Sequence, residues 1–276
     1  MEQKRRRFRN RRAAQAATAR RFEHPSGQPM APAEGQVVFG VEPVRELIAA
    51  APGAVAALYV RAGLGERFRA EVEAVRRAGG MAREVGEAEL TQRCGPGARH
   101  QGLVALSAPY RYASLEDVLA ERPDPLLVVD EVTDPRNLGA IVRSAECAGV
   151  RWVLIARQRT APVGPAAIKS SAGAWLHVRV AQCANVVRAL EQLKAEGGYW
   201  VGALTPEGAT PIYDLDVERR LALVVGGEGR GVRELVRKRS DFLVSIPMRG
   251  RIASLNVSVA AALALFEIAR RRGTQA

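Results

Sequence analysis

The sequence contains few of the residues from which disulfide frameworks and metal sites are built. Three cysteines and three histidines occur among its 276 residues, and each stands alone. Cys94, Cys147 and Cys183 form neither a C-x-x-C pair nor the dense pattern of a disulfide-stapled secreted domain. The scattered histidines match no metal-binding motif. We therefore expect no metal site, and the reducing cytoplasm is the compartment that fits best.

Long apolar runs are also missing. A membrane-spanning helix needs roughly 18 consecutive apolar residues, and the most apolar stretch, from Val257 to Ala269, is shorter. We expect this stretch to form a buried helix rather than a membrane span. With 47% hydrophobic and 25% charged residues, the chain has the composition of a globular protein. Its length favours two domains.

Acidic residues are outnumbered by basic ones, which gives a formal net charge of +12. Residues 1–35 hold nine basic and three acidic side chains, so half of the excess lies in this segment. The segment has no apolar periodicity and ends in a stretch with proline and glycine, which predicts a disordered arm. A basic arm gains affinity for a phosphate backbone by releasing counterions. We expect RNA or DNA to be its partner.

The remaining residues predict two α/β units joined by a linker. In residues 36–107, short apolar runs alternate with helical patterns, which predicts a small α/β domain. Residues 108–124 mix proline and charge, which predicts a linker with one or two helical turns. From residue 125 to the end, helical patterns separate apolar runs, so we expect a mostly parallel sheet of βαβ units. The strands of that sheet are predicted at residues 126–130, 152–156, 199–204, 221–226 and 242–246.

Three polar segments with glycine follow strands of the second unit, at residues 130–145, 223–231 and 245–263. Since ligands bind at the carboxyl ends of parallel strands, the three segments predict one composite site. The middle one, LVVGGEGRG, lacks the G-x-G-x-x-G spacing of a dinucleotide fingerprint. It also lacks the lysine of a P-loop. It predicts a backbone-exposing turn with one acid, Glu228, and a plain tight turn is the alternative.

Together the three segments resemble the motifs of the SPOUT class of trefoil-knotted RNA methyltransferases, and specifically the ribose 2′-O-methyltransferases. The resemblance covers about residues 125–272. Residues 39–48 and 99–105 are similar, more loosely, to the small substrate-binding domain of the 23S ribosomal RNA guanosine enzyme, with Glu42 where that pattern has a histidine. The motif residues are D-P-x-N-x-G-x-x-x-R-S-A from Asp134 to Ala145, the GGEGRG turn, and I-P-M-x-G-x-x-x-S-L-N-V-S-V-A from Ile246 to Ala260.

The resemblance implies a knotted catalytic domain, an obligate homodimer and S-adenosylmethionine as cofactor. A second subunit would cover part of the apolar helix that begins at Val257. Adenine needs a flat apolar slot with main-chain groups at its edge. The matching positions for the cofactor are Gly226, Ile246 and Leu255, with Gly231 and Met248 as neighbouring candidates, and ordinary core packing is the alternative for Ile246 and Leu255.

The implied reaction is attack of a ribose 2′-hydroxyl on a sulfonium methyl group. A neutral hydroxyl is a poor nucleophile, so the site must orient it and take its proton or stabilise the alkoxide. By analogy with the family, Arg143 is the central residue and is sometimes assigned as the general base. Because a guanidinium in general keeps its proton at neutral pH, a clamp on phosphate and alkoxide is the safer role. The candidate catalytic residues are Asn137, Arg143, Glu228, Ser254 and Asn256.

Several alternatives stay open at this point. Asn137 could be a helix N-cap instead, Ser254 and Asn256 could cap the last helix, and Glu228 could orient an arginine. The RNA could be transfer RNA rather than 23S ribosomal RNA, or the chain could be an antibiotic-resistance ribosomal RNA enzyme. A non-catalytic RNA-binding protein of ribosome assembly is a further alternative. The polar set of the motifs argues against it, because a protein without turnover has little reason to keep every one of those residues.

Overall fold

A computed structural model of the protein describes residues 35–273. These residues form two compact units, one made of residues 35–111 and 164–176 and the other of residues 112–163 and 177–273. The basic arm predicted for residues 1–35 lies outside the described residues, apart from Gly35. The expected α/β architecture of both units is confirmed.

The first unit contains a four-stranded sheet in the order β1-β4-β2-β3. β4 pairs antiparallel with both β1 and β2, whereas β2 and β3 are parallel. Helices α1 and α6 both pack against β1. The elements of this unit are β1 (Gln36–Phe39), α1 (Val41–Ala50), β2 (Val55–Arg61), α2 (Arg69–Arg77), β3 (Met81–Val85), α3 (Glu87–Cys94), β4 (Leu103–Ser107) and α6 (Pro165–Ser170), with 3-10 turns at Pro52–Ala54, Glu66–Phe68 and Ala174–Leu176.

The second unit contains a seven-stranded sheet in the order β7-β6-β5-β10-β8-β11-β9. Every neighbouring pair in it is parallel. All its strands therefore end at one edge, called here the carboxyl edge. Its elements are α4 (Leu115–Glu121), β5 (Leu126–Asp130), α5 (Pro135–Cys147), β6 (Trp152–Ala156), β7 (Arg179–Cys183), α7 (Val186–Ala195), β8 (Trp200–Leu204), β9 (Thr210–Pro211), β10 (Leu221–Gly226), α8 (Glu234–Arg239), β11 (Phe242–Ser245) and α9 (Val257–Gly273), with a 3-10 turn at Ile212–Asp214.

The five strands predicted for this sheet are confirmed to within one residue at either end. They are continuous apolar runs because the central strands of a parallel sheet are covered on both faces, and β5, β6 and β10 are buried along their whole length. Sequence patterns missed β7 and β9, which lie at the two edges of the sheet. An edge strand is shorter or carries polar residues, so its pattern is weak.

Two segments differ from the predicted domain limits. Residues 112–124 form part of the second unit rather than a linker, because Leu115 and Val118 of α4 are buried in its core cluster. The start of α4 carries a capping box, in which Ser114 and Asp117 exchange hydrogen bonds of 3.1 and 2.8 Å. Residues 164–176, predicted as part of the catalytic domain, belong instead to the first unit.

The apolar helix expected at Val257–Ala269 is present as α9, which extends to Gly273. One of its sides packs against α5. Within residues 35–273, no helix is both long and apolar enough to span a membrane. Over the same range no group of three or more histidine, cysteine or acidic residues is arranged to hold a metal ion. All three cysteines are free thiols. The trefoil knot stays a prediction.

Candidate active site

The three motif segments meet at the carboxyl edge of the second sheet. The first follows β5, the glycine turn follows β10, and the third follows β11. β10 lies between β5 and β8, and β11 lies on the far side of β8. Four adjacent strands therefore end side by side, as the composite-site prediction requires.

The glycine turn folds back over the end of its own strand. Gly231 donates its amide hydrogen to the carbonyl of Gly227 over 3.1 Å, and its φ of 63° is in the left-handed region that favours glycine. A Cβ on Gly226 would lie 2.1 Å from the backbone of Gly231 and Val232. The sequence needs glycine at position 226 because the returning loop lies directly on it.

A pocket of about 480 Å³ opens beneath this turn, between the segments that follow β8, β10 and β11. All five positions predicted for the cofactor line it, and so do three of the predicted catalytic residues, Glu228, Ser254 and Asn256. The five cofactor positions combine exposed backbone with apolar side chains. They are Gly226, Gly231, Ile246, Met248 and Leu255.

Asn137 links the three motifs through its side-chain amide. Its Nδ2 donates to Oε1 of Glu228 over 2.5 Å, and its Oδ1 accepts from Nδ2 of Asn256 over 3.2 Å. Both ends of the amide are thus engaged, one with the glycine turn and one with the third motif. An amide is the side chain that suits this position, since it offers a donor and an acceptor at once.

The alternative role of Asn137 as an N-cap is wrong. Asp134 is the N-cap of α5 and accepts from the amide of Arg136 over 2.8 Å. Asn256, by contrast, does cap α9, because its Oδ1 accepts from the backbone amide of Ser258 over 2.8 Å and from the Ser258 hydroxyl over 2.6 Å. The same side chain therefore begins the last helix and holds Asn137.

The other candidate residues lie at less constrained positions. Glu228 accepts from Asn137 rather than from an arginine, so the expectation that it orients an arginine does not hold. Ser254 is an exposed residue in the wall of the pocket. Arg143 is exposed on α5 and lies outside the pocket lining. Among residues 35–273 its guanidinium has no hydrogen-bond or ion-pair partner. Their catalytic roles stay predictions.

Sequence patterns missed an ion pair behind the site, between Asp130 at the end of β5 and Arg233 just before α8. The Asp130 side chain is fully buried. Arg233 donates to its Oδ1 from Nη2 over 2.6 Å and from Nε over 2.9 Å, while the Arg233 backbone amide reaches Oδ2 over 3.3 Å. These hydrogen bonds raise the pKa of Arg233. The only sequence signal was a charged residue ending an apolar strand.

Thr205, which follows β8, was also missed. Thr205 is 5% exposed and lines the pocket, yet its hydroxyl has no hydrogen-bond partner within the described part of the chain. A buried polar group without a partner costs about 1–3 kcal/mol. The hydroxyl oxygen itself is buried, so this unsatisfied group lies behind the pocket surface.

Two family models match the chain, one over most of each unit. Residues 124–266 match the SpoU rRNA methylase family. The chain belongs to that family. Residues 37–113 match the RNA 2′-O ribose methyltransferase substrate-binding domain.

Relatives of this SpoU-family chain are described as tRNA/rRNA methyltransferases. One from Mycolicibacterium vanbaalenii is 40% identical over 268 residues, which is 95% of this chain and 83% of that protein. One from Synechocystis is 38% identical over 212 residues, which is 75% of this chain. The aligned region covers 55% of the length of the Synechocystis protein.

Solved structures share the fold. The SpoU methyltransferase AviRb from Streptomyces viridochromogenes, in complex with the cofactor AdoMet, has a TM-score of 0.73 at 23% identity and covers 95% of this chain and 98% of its own. At that identity the likeness shows the fold alone. A structure described as an RNA 2′-O ribose methyltransferase has a TM-score of 0.68 at 26% identity and covers 93% of this chain and 95% of its own.

Replacing Arg233 with alanine should destabilise the second unit strongly. The change leaves the Asp130 carboxylate buried without its partner, which costs about 3–5 kcal/mol in free energy of unfolding. Urea unfolding followed by tryptophan fluorescence measures the loss. Adding Asp130→Asn to Arg233→Ala removes the buried charge and should recover part of the lost free energy of unfolding.

Arg239→Ala is the matched control, because Arg239 pairs with Glu191 at the surface and a surface pair contributes about 0–1 kcal/mol. If Arg233→Ala were as stable as Arg239→Ala, the buried pair would not hold the glycine turn to β5.

Proposed function

We propose that this protein transfers a methyl group from S-adenosylmethionine to a ribose 2′-hydroxyl in RNA, and that its target is a guanosine of 23S ribosomal RNA. The observation that carries the proposal is the pocket at the carboxyl edge. It combines the predicted cofactor positions with Glu228, Ser254 and Asn256 in one wall, within a chain of the SpoU rRNA methylase family.

The residues of the pocket fit S-adenosylmethionine. Gly226 and Gly231 offer backbone groups without a side chain in the way, and Ile246, Met248 and Leu255 offer apolar surface to an adenine ring. When bound, the cofactor supplies an electrophilic methyl group.

Asn137 and its partners would orient the reacting ribose. The hydrogen bonds from Ser258 through Asn256 and Asn137 to Glu228 all point in one direction, so the Glu228 carboxylate sits at the accepting end. A carboxylate there can accept a hydrogen bond from a hydroxyl and raise its nucleophilicity. Fixed geometry of this kind lowers the entropic part of the barrier.

Arg143 would hold the RNA. Its guanidinium is exposed and has no partner among the described residues, which leaves its donors available to a phosphate. We propose that it clamps the backbone beside the reacting nucleotide and stabilises the developing alkoxide.

RNA is also the partner that the first unit supports, since residues 37–113 match a substrate-binding domain for RNA 2′-O ribose methyltransferases. The basic excess of residues 1–35 favours the same kind of partner. The name tRNA/rRNA methyltransferase of the relatives keeps a transfer RNA guanosine as the second candidate target. The free cysteines agree with a cytoplasmic location.

A homodimer completes the proposal. On α9, Val259, Leu263 and Phe266 are 47–50% exposed, and their spacing of four and three residues puts them on one helix face. Tyr213 is 55% exposed and lines a groove with Leu263 and Phe266. Large apolar side chains in one exposed patch favour a subunit interface.

Calorimetry with S-adenosylmethionine tests the enzymatic proposal. The wild-type chain should bind the cofactor, and Gly226→Ala should weaken binding at least about tenfold, or about 1.4 kcal/mol, because the new methyl group displaces the loop at Gly231. Gly164→Ala is the control, since a Cβ at Gly164 meets open space. Absence of binding by the wild-type chain would favour the non-catalytic assembly protein.

Substitution of Arg143 tests the clamp. Methyl transfer to ribosomal RNA should stay within about tenfold of wild type in Arg143→Lys, which keeps the charge, and fall about a hundredfold in Arg143→Ala, together with RNA affinity. Arg188→Ala, at another exposed helix arginine, should have no effect. Intact RNA binding with both Arg143 variants inactive would argue for a general base instead.

Light scattering after size-exclusion chromatography tests the dimer. The wild-type chain should be dimeric at micromolar concentration, and Phe266→Glu should give monomers because it places a charge in the apolar face. Leu235→Glu, at an exposed leucine of α8, is the control that should stay dimeric. A monomeric wild type contradicts the proposal.

A further inference from the structure

Many arginines of the second unit pair with an acidic side chain, whereas others have no such partner among the described residues. At the edge where strands begin, Arg179 pairs with Glu121, Arg219 with Asp216 over 3.4 Å, and Arg239 with Glu191 over 3.2 Å. At the carboxyl edge, the loops that enclose the pocket carry Arg230, Arg249 and Arg251. All three are exposed, and none has a hydrogen-bond or ion-pair partner among residues 35–273.

Local charge makes this arrangement unusual. The glycine turn and the loop after β11, residues 227–231 and 246–256, contain three arginines and a single acid, Glu228. That acid already accepts a hydrogen bond from Asn137. Like charges on neighbouring loops repel each other. Glu207 also lines the pocket, but its ion-pair partner is Arg237.

The sequence around these arginines leaves them accessible. Arg230 stands between Gly229 and Gly231, and Gly250 separates Arg249 from Arg251. Arg230 lines the pocket itself, and Met248 and Ala253 of the same loop as Arg249 and Arg251 line it too. Arg230 therefore lies in the pocket wall, and Arg249 and Arg251 lie on the loop that contributes Met248 and Ala253 to that wall.

We propose that Arg230, Arg249 and Arg251 form a phosphate-binding rim, which holds the RNA strand on either side of the ribose that enters the pocket. The inference rests on the proposed function, because it assumes that the pocket receives a nucleotide. The rim binds the strand without regard to base identity, since a guanidinium contact to phosphate carries no sequence information. It complements the first unit, which selects the target.

The test uses full-length protein and fluorescein-labelled single-stranded polyuridine RNA, whose affinity is measured over a range of salt concentrations. Each phosphate contact on a single strand contributes about 0.7 to the slope of log K against log salt. Arg249→Gln/Arg251→Gln should therefore lower the slope by about 1.4, and adding Arg230→Gln by about 2 in total. The glutamines keep most of the side-chain length while removing the charge.

Arg151→Gln is the matched control. Arg151 is an exposed arginine at the opposite edge, directly before β6, and it too has no side-chain partner within the described chain. Its variant should keep the wild-type slope. Equal slopes for the rim variants and Arg151→Gln would overturn the proposed rim. A loss of the dimer without a change in slope would also overturn it, because these arginines would then belong to a subunit contact.

Calorimetry with S-adenosylmethionine on the same proteins distinguishes a failure of the proposed function from a failure of the phosphate-binding rim. Arg249→Gln/Arg251→Gln should bind the cofactor as the wild type does, because these two side chains lie outside the pocket lining. If the wild type bound no cofactor, the proposed function would fail, while the slopes would still decide whether the rim binds RNA.

Discussion

The side-chain amide of Asn137 is the interaction on which the site depends. It is the point where hydrogen bonds from the glycine turn and from the start of the last helix meet the first motif. The first motif lies 91 and 119 residues from its two partners in sequence, and these hydrogen bonds join all three segments. The parallel sheet brings them to the same edge, and this amide joins the turn to the helix start by side-chain hydrogen bonds.

Two further constraints support that arrangement from behind. The buried Asp130–Arg233 pair ties the end of β5 to the segment after the glycine turn, and the missing side chain of Gly226 lets the turn close over its own strand. The paired groups lie inside the unit and serve its stability. The unpaired arginines Arg230, Arg249 and Arg251 are exposed on the two loops that contribute to the pocket, where their charge is available to a ligand.

Much of the fold could be predicted because its signals are local and strong. Continuous apolar runs such as Leu126–Asp130 mark buried strands. The three motif segments were assigned to one site by their positions after strands, whereas the site residues within them came from the family resemblance. The edge strands were missed because partial exposure weakens their apolar pattern. The capping of α4 and the pairing of Asp130 with Arg233 were missed because each depends on which side chains meet, and that is set by tertiary structure.

The most direct test of the account is a map of ribose 2′-O-methylation in ribosomal and transfer RNA from cells with and without the protein. The account predicts that one modified nucleotide, a guanosine of 23S ribosomal RNA, loses its methyl group in the absence of the protein and regains it when the wild-type gene is restored. Restoring the gene with the Asn137→Ala substitution should leave this nucleotide unmethylated. An unchanged methylation map in both RNA classes would contradict the central claim.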